Sequence, residues 1–171
     1  MVKNKKLTHL IGIYPGTLDP VTLGHLDIIE RATGVVDHLI VAVADSPHKK
    51  PLFTAATRVS MVEEAIAAEK RFKGKSIEVV SFDNLLIEFA ENLNAKVLIR
   101  GLRAVSDFEY EFQMAGMNSY LSKNVETIFL MARDKHQSVS SSFIKEVARL
   151  DGDISHFVTD NVVAALKDKF K

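Results

Sequence analysis

Regular alternation of short apolar runs with amphipathic stretches constrains this chain more than any other feature. Five runs, at 10–14, 38–44, 76–81, 96–99 and 126–131, are rich in Val, Ile and Leu, as strands buried in a parallel sheet are. Helical stretches fill the gaps. The first spans 23–33, with Gly34 as its stop. The second starts at Thr54 or Thr57 and runs to Phe72, with Val59, Val62, Ala65, Ile66 and Glu69 at helical spacing. The third covers 85–92, capped by Asn84. The fourth runs from Ser106 or Asp107 to Leu121, and two more follow at 140–150 and 159–169. Strand and helix in turn predict an α/β fold with a doubly wound, five-stranded parallel sheet and helices on both faces. Ligands of such sheets bind at the carboxyl ends of the strands, where the strand order reverses. The loops after the strands are therefore where function is expected.

The loop after the first strand is the most informative. Gly12-Ile13-Tyr14-Pro15-Gly16-Thr17 leads through Leu18-Asp19-Pro20-Val21 into Thr22-Leu23-Gly24-His25. Thr22 is a good N-cap, but Gly24 and His25 are unusual in a first helical turn. Gly24 lets a ligand approach the backbone, and His25 stands at a helix N-terminus, where N–H groups and the dipole favour an anion. The other strand ends add Lys49 and Lys50, then Asn84 to Leu86, then Arg100-Gly101-Leu102-Arg103, then Arg133, Lys135, His136 and Gln137-Ser138-Val139-Ser140-Ser141-Ser142. Each has a plain structural reading. Lys49 and Lys50 fit a solvated loop, Arg100 and Arg103 fit ion pairs with Asp107, Glu109 or Glu111, and Ser140 fits a helix cap. Gathered on one sheet edge, they point to a polyanionic substrate.

Composition narrows the field. Lys plus Arg equals Asp plus Glu at 22 each, a poor balance for bulk nucleic-acid or membrane-surface binding. With no cysteine there is no disulfide, thiolate metal site or Cys nucleophile, which fits a reducing cytoplasm. No signal peptide or membrane span is read. The 171 residues suit one domain over 1–171, with a flexible segment at 1–9. The P-loop pattern, the Gly-x-Gly-x-x-Gly fingerprint and the Gly-x-Ser-x-Gly elbow are all missing. His9, His38, His48, His136 and His156 lack zinc-ligand spacing.

Tyr14 to Pro20, Thr22 to His25, Ser46-Pro47 with Lys49-Lys50-Pro51, Val97 to Arg103, Asp107-Phe108-Glu109-Tyr110-Glu111 and Ser140-Ser141-Ser142 with Lys145-Glu146-Val147 occur here in order. Together they resemble the bacterial phosphopantetheine adenylyltransferases of the nucleotidylyltransferase superfamily. Thr-x-Gly-His marks only the superfamily; Arg-Gly-Leu-Arg and Asp-Phe-Glu-Tyr-Glu are far more specific. Leu18 stands where the family often has Phe, Leu23 where Asn is common, and His136 where some members have Trp.

The resemblance implies a Rossmann-like fold and transfer of the adenylyl group of ATP to 4′-phosphopantetheine. The products would be 3′-dephospho-CoA and pyrophosphate, in the penultimate step of coenzyme A biosynthesis, by direct in-line displacement. It implies that His25 donates to the α-phosphate, that Thr17 holds the attacking phosphate, and that Lys49 and Arg100 bind that phosphate. Arg103 and Ser140–Ser142 would hold the β- and γ-phosphates, Gly101 and Leu102 would give backbone contacts to the nucleotide, and Leu86 would border the pantetheine arm. Leu18, Glu111 and His136 to Val139 would complete the ATP site. Magnesium would come with ATP rather than in a protein-built cage. CoA feedback and a homohexamer are further family traits. The helix carrying Phe112, Met114, Ala115, Met117, Tyr120 and Leu121 is apolar enough for an interface, and core packing explains those residues equally well. The nearest rival is another small-molecule nucleotidylyltransferase, such as a nicotinamide mononucleotide adenylyltransferase. Such members end the last motif with Arg three residues after the final hydroxyl, where this chain has Lys145.

Overall fold

The computed structural model describes residues 9–46, 48, 50–137 and 139–171, with Ser106 and His136 described in their backbone only. Residues 1–8 of the expected flexible segment lie outside them. The strands are β1 (Ile11–Gly16), β2 (His38–Ala44), β3 (Ile77–Phe82), β4 (Val97–Leu102) and β5 (Glu126–Met131). The helices are α1 (Leu23–Ala32), α2 (Ala55–Ala68), α3 (Leu86–Asn92), α4 (Val105–Leu121), α5 (Ser141–Arg149) and α6 (Asp160–Phe170). All strand pairs are parallel, in the order β3-β2-β1-β4-β5, so the order reverses between β1 and β4.

Side chains of the central strands alternate between two cores, as the two-residue period of a strand requires. On β2, Leu39, Val41 and Val43 join one cluster and Ile40 and Ala42 the other. On β1 and β4, Tyr14 and Ile99 point to the first, Ile13 and Leu98 to the second. The larger cluster also takes Leu26 and Ile29 of α1, Met61 and Val62 of α2, Ile144 of α5 and Val162 of α6. The smaller takes Ile87 and Ala90 of α3. Apolar residues on both faces of a strand are what make it a buried parallel strand.

Several boundaries shift by one residue from the expectation, and four differences have a visible cause or consequence. β1 runs on to Gly16 and β4 to Leu102, so Arg100, Gly101 and Leu102 belong to the strand and not to the loop after it. The cause is pairing: Gly101 stands opposite Leu130 and Leu102 opposite Met131 in β5. α2 stops at Ala68, and a separate 3-10 turn covers Lys70–Phe72, because Glu69 is extended. The N-cap of α3 is Leu85 without a side-chain cap, so Asn84 does not start that helix.

Pro15 determines where the sheet opens. β1 pairs with β2 along its whole length but with β4 only at Gly12 and Ile13. Proline has no N–H to give to a neighbouring strand. Beyond Ile13 the two strand ends part, at the point where the order reverses.

Candidate active site

A cavity of about 580 Å³ lies at this parting of β1 and β4. Arg100 spans the gap: its Nη1 donates to the Pro15 carbonyl at 2.9 Å. Its Nε and Nη2 donate to the two carboxylate oxygens of Glu111 on α4, at 2.7 and 2.6 Å. Such a bidentate pair fixes the plane of a guanidinium, which a lysine in its place would not. Burial works against the Arg100 charge, but the bond and charge of Glu111 more than offset it and raise its pKa above the ordinary arginine value. Arg103 pairs in the same way with Asp107, at 3.1 and 3.3 Å, and reaches the Val139 carbonyl at 3.3 Å. Burial would raise the Asp107 pKa, but its bonds to Arg103 lower it. The ion-pair reading of both arginines is thus realised, and both still line the cavity.

The start of α1 forms the opposite wall. Thr22 is the N-cap, and its Oγ1 accepts from the His25 N–H at 3.3 Å. In return, His25 Nδ1 accepts from the Thr22 N–H at 3.0 Å, closing a capping box with histidine in the place usually held by Glu or Gln. A ring whose Nδ1 accepts carries its proton on Nε2. Burial, and secondarily the Arg103 charge, push the His25 pKa down to about 4. The imidazole is therefore a neutral hydrogen-bond donor at neutral pH. Tyr14, which also lines the cavity, is pushed up to about 12, chiefly by burial, so its hydroxyl keeps its proton.

Buried charges hold the loop between β1 and α1. Asp19, 4% exposed, accepts from the Leu52 and Phe53 N–H groups at 2.8 and 3.0 Å and from Lys145 Nζ of α5 at 2.6 Å. Arg58 of α2 is wholly buried and donates to the carbonyls of Thr17, Ala44 and Phe53, at 2.6, 2.9 and 3.0 Å. Removing one partner from such a group costs about 3–5 kcal/mol, so the loop is firmly set. Leu18 sits in the left-handed region at φ 48°, a conformation costing about 1–2 kcal/mol that its burial to 2% exposure offsets. On the far side, Ser140 caps α5 by accepting from the Phe143 N–H at 3.2 Å, and Ser141 Oγ donates to the Pro20 carbonyl at 2.8 Å.

The cavity brings together Thr17, Leu18, His25, Arg100, Gly101, Arg103, Glu111, Val139, Ser140, Ser141 and Ser142. Three expected residues stand apart from its lining. Leu86 packs on the smaller core beside α3 with Phe82 and Phe89, because the alternation of the fold puts α3 on the other face of the sheet. Leu102 is 5% exposed and turns into the interior, as its place in β4 dictates. Gln137 donates to Asp134 at 3.2 Å across the 3-10 turn Asp134–His136. Lys49 and Ser138 lie outside the described residues, as does the His136 side chain. The lining also includes Tyr14, Asp19, Ile28, Tyr110 and Lys145, which the sequence reading did not assign to the site. Of these, Lys145 carried a signal, as the residue separating two kinds of nucleotidylyltransferase. Arg58 carried a weaker one: it sits on the buried stripe of α2 with Met61, Val62 and Ala65.

A parallel sheet opened at its switch point, with two arginines and two helix starts around a neutral imidazole, is a nucleotide-transfer architecture. The family described as cytidylyltransferase-like matches residues 13–147, which places the chain in that class. Within the class, it is 57% identical to the phosphopantetheine adenylyltransferase of Rhodospirillum centenum, over 94% of this chain and 87% of that one. It is 54% identical to the phosphopantetheine adenylyltransferase of Dinoroseobacter shibae, over 94% of both. The chain belongs to the phosphopantetheine adenylyltransferase family. Its fold is similar to that of the Plasmodium falciparum nicotinic acid mononucleotide adenylyltransferase complexed with APC. There the TM-score is 0.73 at 12% identity, covering 94% of this chain and 96% of that one.

Proposed function

We propose that the chain transfers the adenylyl group of ATP to 4′-phosphopantetheine, giving 3′-dephospho-CoA and pyrophosphate. The observation that carries the mechanism is His25, neutral and tethered through Nδ1, with its one N–H left at Nε2. An oxygen of the acceptor phosphate attacks the α-phosphorus, and the bond from that phosphorus to the α–β bridging oxygen breaks. The nucleophile comes with the substrate, so catalysis is positioning and charge stabilisation. His25 donates to the α-phosphate as charge accumulates there. A neutral donor suits this role, since it requires no proton transfer.

Arg100, held flat by Glu111, binds the acceptor phosphate, together with Thr17 and Lys49. This offsets the repulsion between two anions. Arg103 and the start of α5 at Ser140–Ser142 take the β- and γ-phosphates, where helix N–H groups favour anions. Lys145, which donates to Asp19 and lines the same cavity, occupies the position where pantetheine-type members have Lys and nicotinamide-type members Arg, which supports the pantetheine reading.

ATP enters as its magnesium complex. The ion would be carried by the phosphates of ATP and would offset their charge, as the notion of a magnesium–nucleotide substrate requires. The chain works as a single domain in the cytoplasm, a reducing compartment that suits its cysteine-free composition. Among the described residues, no helix is long and apolar enough to cross a membrane. Coenzyme A, which contains the pantetheine and adenylyl parts, acts as a feedback inhibitor. The enzyme assembles as a homohexamer. Phe112, Met117, Tyr120 and Leu121 of α4 are exposed and not packed in the core, which favours the interface reading of that helix. Acceptor-dependent release of pyrophosphate from ATP is the test of the reaction.

A further inference from the structure

Asp27 lies on α1 two residues beyond His25 and is 1% exposed. A buried carboxylate is costly unless cations and hydrogen bonds compensate it. Two arginines do so here. Arg31, one turn further along α1, comes within 3.5 Å of Asp27 Oδ2, and its Nη1 also donates to the carbonyl of Met131, the last residue of β5. Arg133, from the segment after β5, brings Nη1 within 3.0 Å of Asp27 Oδ1. That oxygen has no hydrogen-bond partner, so the Arg133 charge is what compensates it.

The two contacts flank Ala132. Met131 and Arg133 are both held to α1, and Ala132 between them lines the cavity, as does Ile28 of the same helix. Beyond Arg133 the chain leads to Val139 and the start of α5, also in the lining. Both walls of this side of the cavity, the helix carrying His25 and the segment after β5, are thus tied through one carboxylate. Arg133 itself is half exposed and is not among the lining residues.

We propose that Asp27 and Arg133 form a latch that sets the segment after β5 against α1, with Arg133 a positioning residue for the nucleotide. The proposal rests on the reading of the cavity as an ATP site. The latch is built from the chain's own side chains, so its loss weakens the protein alone as well as nucleotide binding. It acts on a wall of the ATP site and not on the α-phosphate donor, so its loss spares turnover at saturating ATP.

The test compares the wild-type chain with Arg133→Ala, Arg133→Lys, Asp27→Asn and the double variant Asp27→Asn/Arg133→Ala. The readouts are thermal midpoint without ligand, affinity for ATP–magnesium without acceptor, and KM and kcat with both substrates. Arg133 is half exposed, so its alanine variant is expected to fold. The latch predicts that Arg133→Ala lowers the midpoint by roughly 2–4 °C and weakens ATP binding about tenfold. It predicts kcat within about twofold and an unchanged KM for phosphopantetheine, with partial recovery in Arg133→Lys. Asp27→Asn gives a similar loss of ATP affinity, and the double variant is no worse than either single one. An unchanged ATP affinity in Arg133→Ala overturns the latch. So does a loss of affinity with an unchanged midpoint, or additive losses in the double variant, since both mean that Arg133 touches the nucleotide directly. The midpoint arm decides the matter even if Asp27→Asn does not fold. A wild-type chain that fails to bind ATP refutes the functional reading instead, a result distinct from a wild type that binds and an Arg133→Ala that binds equally well.

Discussion

His25 Nδ1 accepts the Thr22 N–H at 3.0 Å, while the His25 N–H is given to Thr22 Oγ1 at 3.3 Å. The pair that starts helix α1 therefore also fixes the tautomer of the imidazole in the cavity. His25→Ala removes both functions. We expect kcat to fall roughly 10²–10³-fold with much smaller changes in KM, the loss typical of one oxyanion donor. His25→Gln keeps a capping-box residue at the third helical position, so it is expected to hold the thermal midpoint better while still losing most of kcat. Wild-type kcat in the alanine variant would remove His25 from the mechanism.

The low pKa of His25 has its own signature. In the folded chain the ring takes up a proton only near pH 4, whereas in the unfolded chain it does so at the ordinary histidine value of 6.5. Between these values the unfolded state binds more protons, so stability from this residue is complete above pH 6.5 and is lost as the pH falls towards 4. His25→Gln should flatten the stability profile across that window. Titration of the His25 ring by NMR should give a midpoint near 4 in the chain without ligand; a midpoint near 6.5 would mean that the imidazole is not desolvated as described.

Arg100 gives Nε and Nη2 to Glu111 and Nη1 to Pro15. Arg100→Lys keeps the charge but cannot keep this fork. Steady-state kinetics should show KM for phosphopantetheine raised by about tenfold or more, since hydrogen bonds to charged groups contribute about 1.5–3 kcal/mol. KM for ATP should change less. Glu111→Gln should produce a weaker form of the same pattern by freeing the guanidinium to turn. Equal KM values for the acceptor in wild type and Arg100→Lys would show that Arg100 serves only to close the gap between β1 and β4.

Helix α4 tests the assembly. Tyr120 is 86% exposed and Phe112 62%. Large apolar side chains gathered in this way mark an interaction surface. Phe112→Glu and Tyr120→Glu should shift sedimentation from an oligomer to smaller species while leaving the far-UV spectrum intact. Unchanged sedimentation in both would place the interface elsewhere.

Much of this could be read in the sequence. The bounds of β2 and β5 were legible because turns and charges stop their apolar runs abruptly. Thr22 as N-cap and Ser140 as the cap of α5 were legible because capping is local chemistry. The true ends of β1 and β4 were not, since Pro15, Gly16, Arg100 and Gly101 look like loop residues and are strand only through their neighbours. Leu86 misled for a related reason: it is near the sheet edge in sequence, but the face it occupies depends on how the chain crosses from β3 to β4. The grip of Asp19 on residues 52 and 53, and of Arg58 on Thr17, joins segments more than 30 residues apart, as separations of 33, 34 and 41 record. No local pattern reveals such contacts.

The most direct test of the account is release of pyrophosphate from ATP and magnesium with one acceptor at a time: 4′-phosphopantetheine, nicotinamide mononucleotide or glycerol 3-phosphate. The account predicts release with phosphopantetheine alone, with dephospho-CoA formed in equal amount and the rate nearly abolished in His25→Ala. Release with nicotinamide mononucleotide or glycerol 3-phosphate in its place, or silence with all three from a chain that binds ATP, would contradict it.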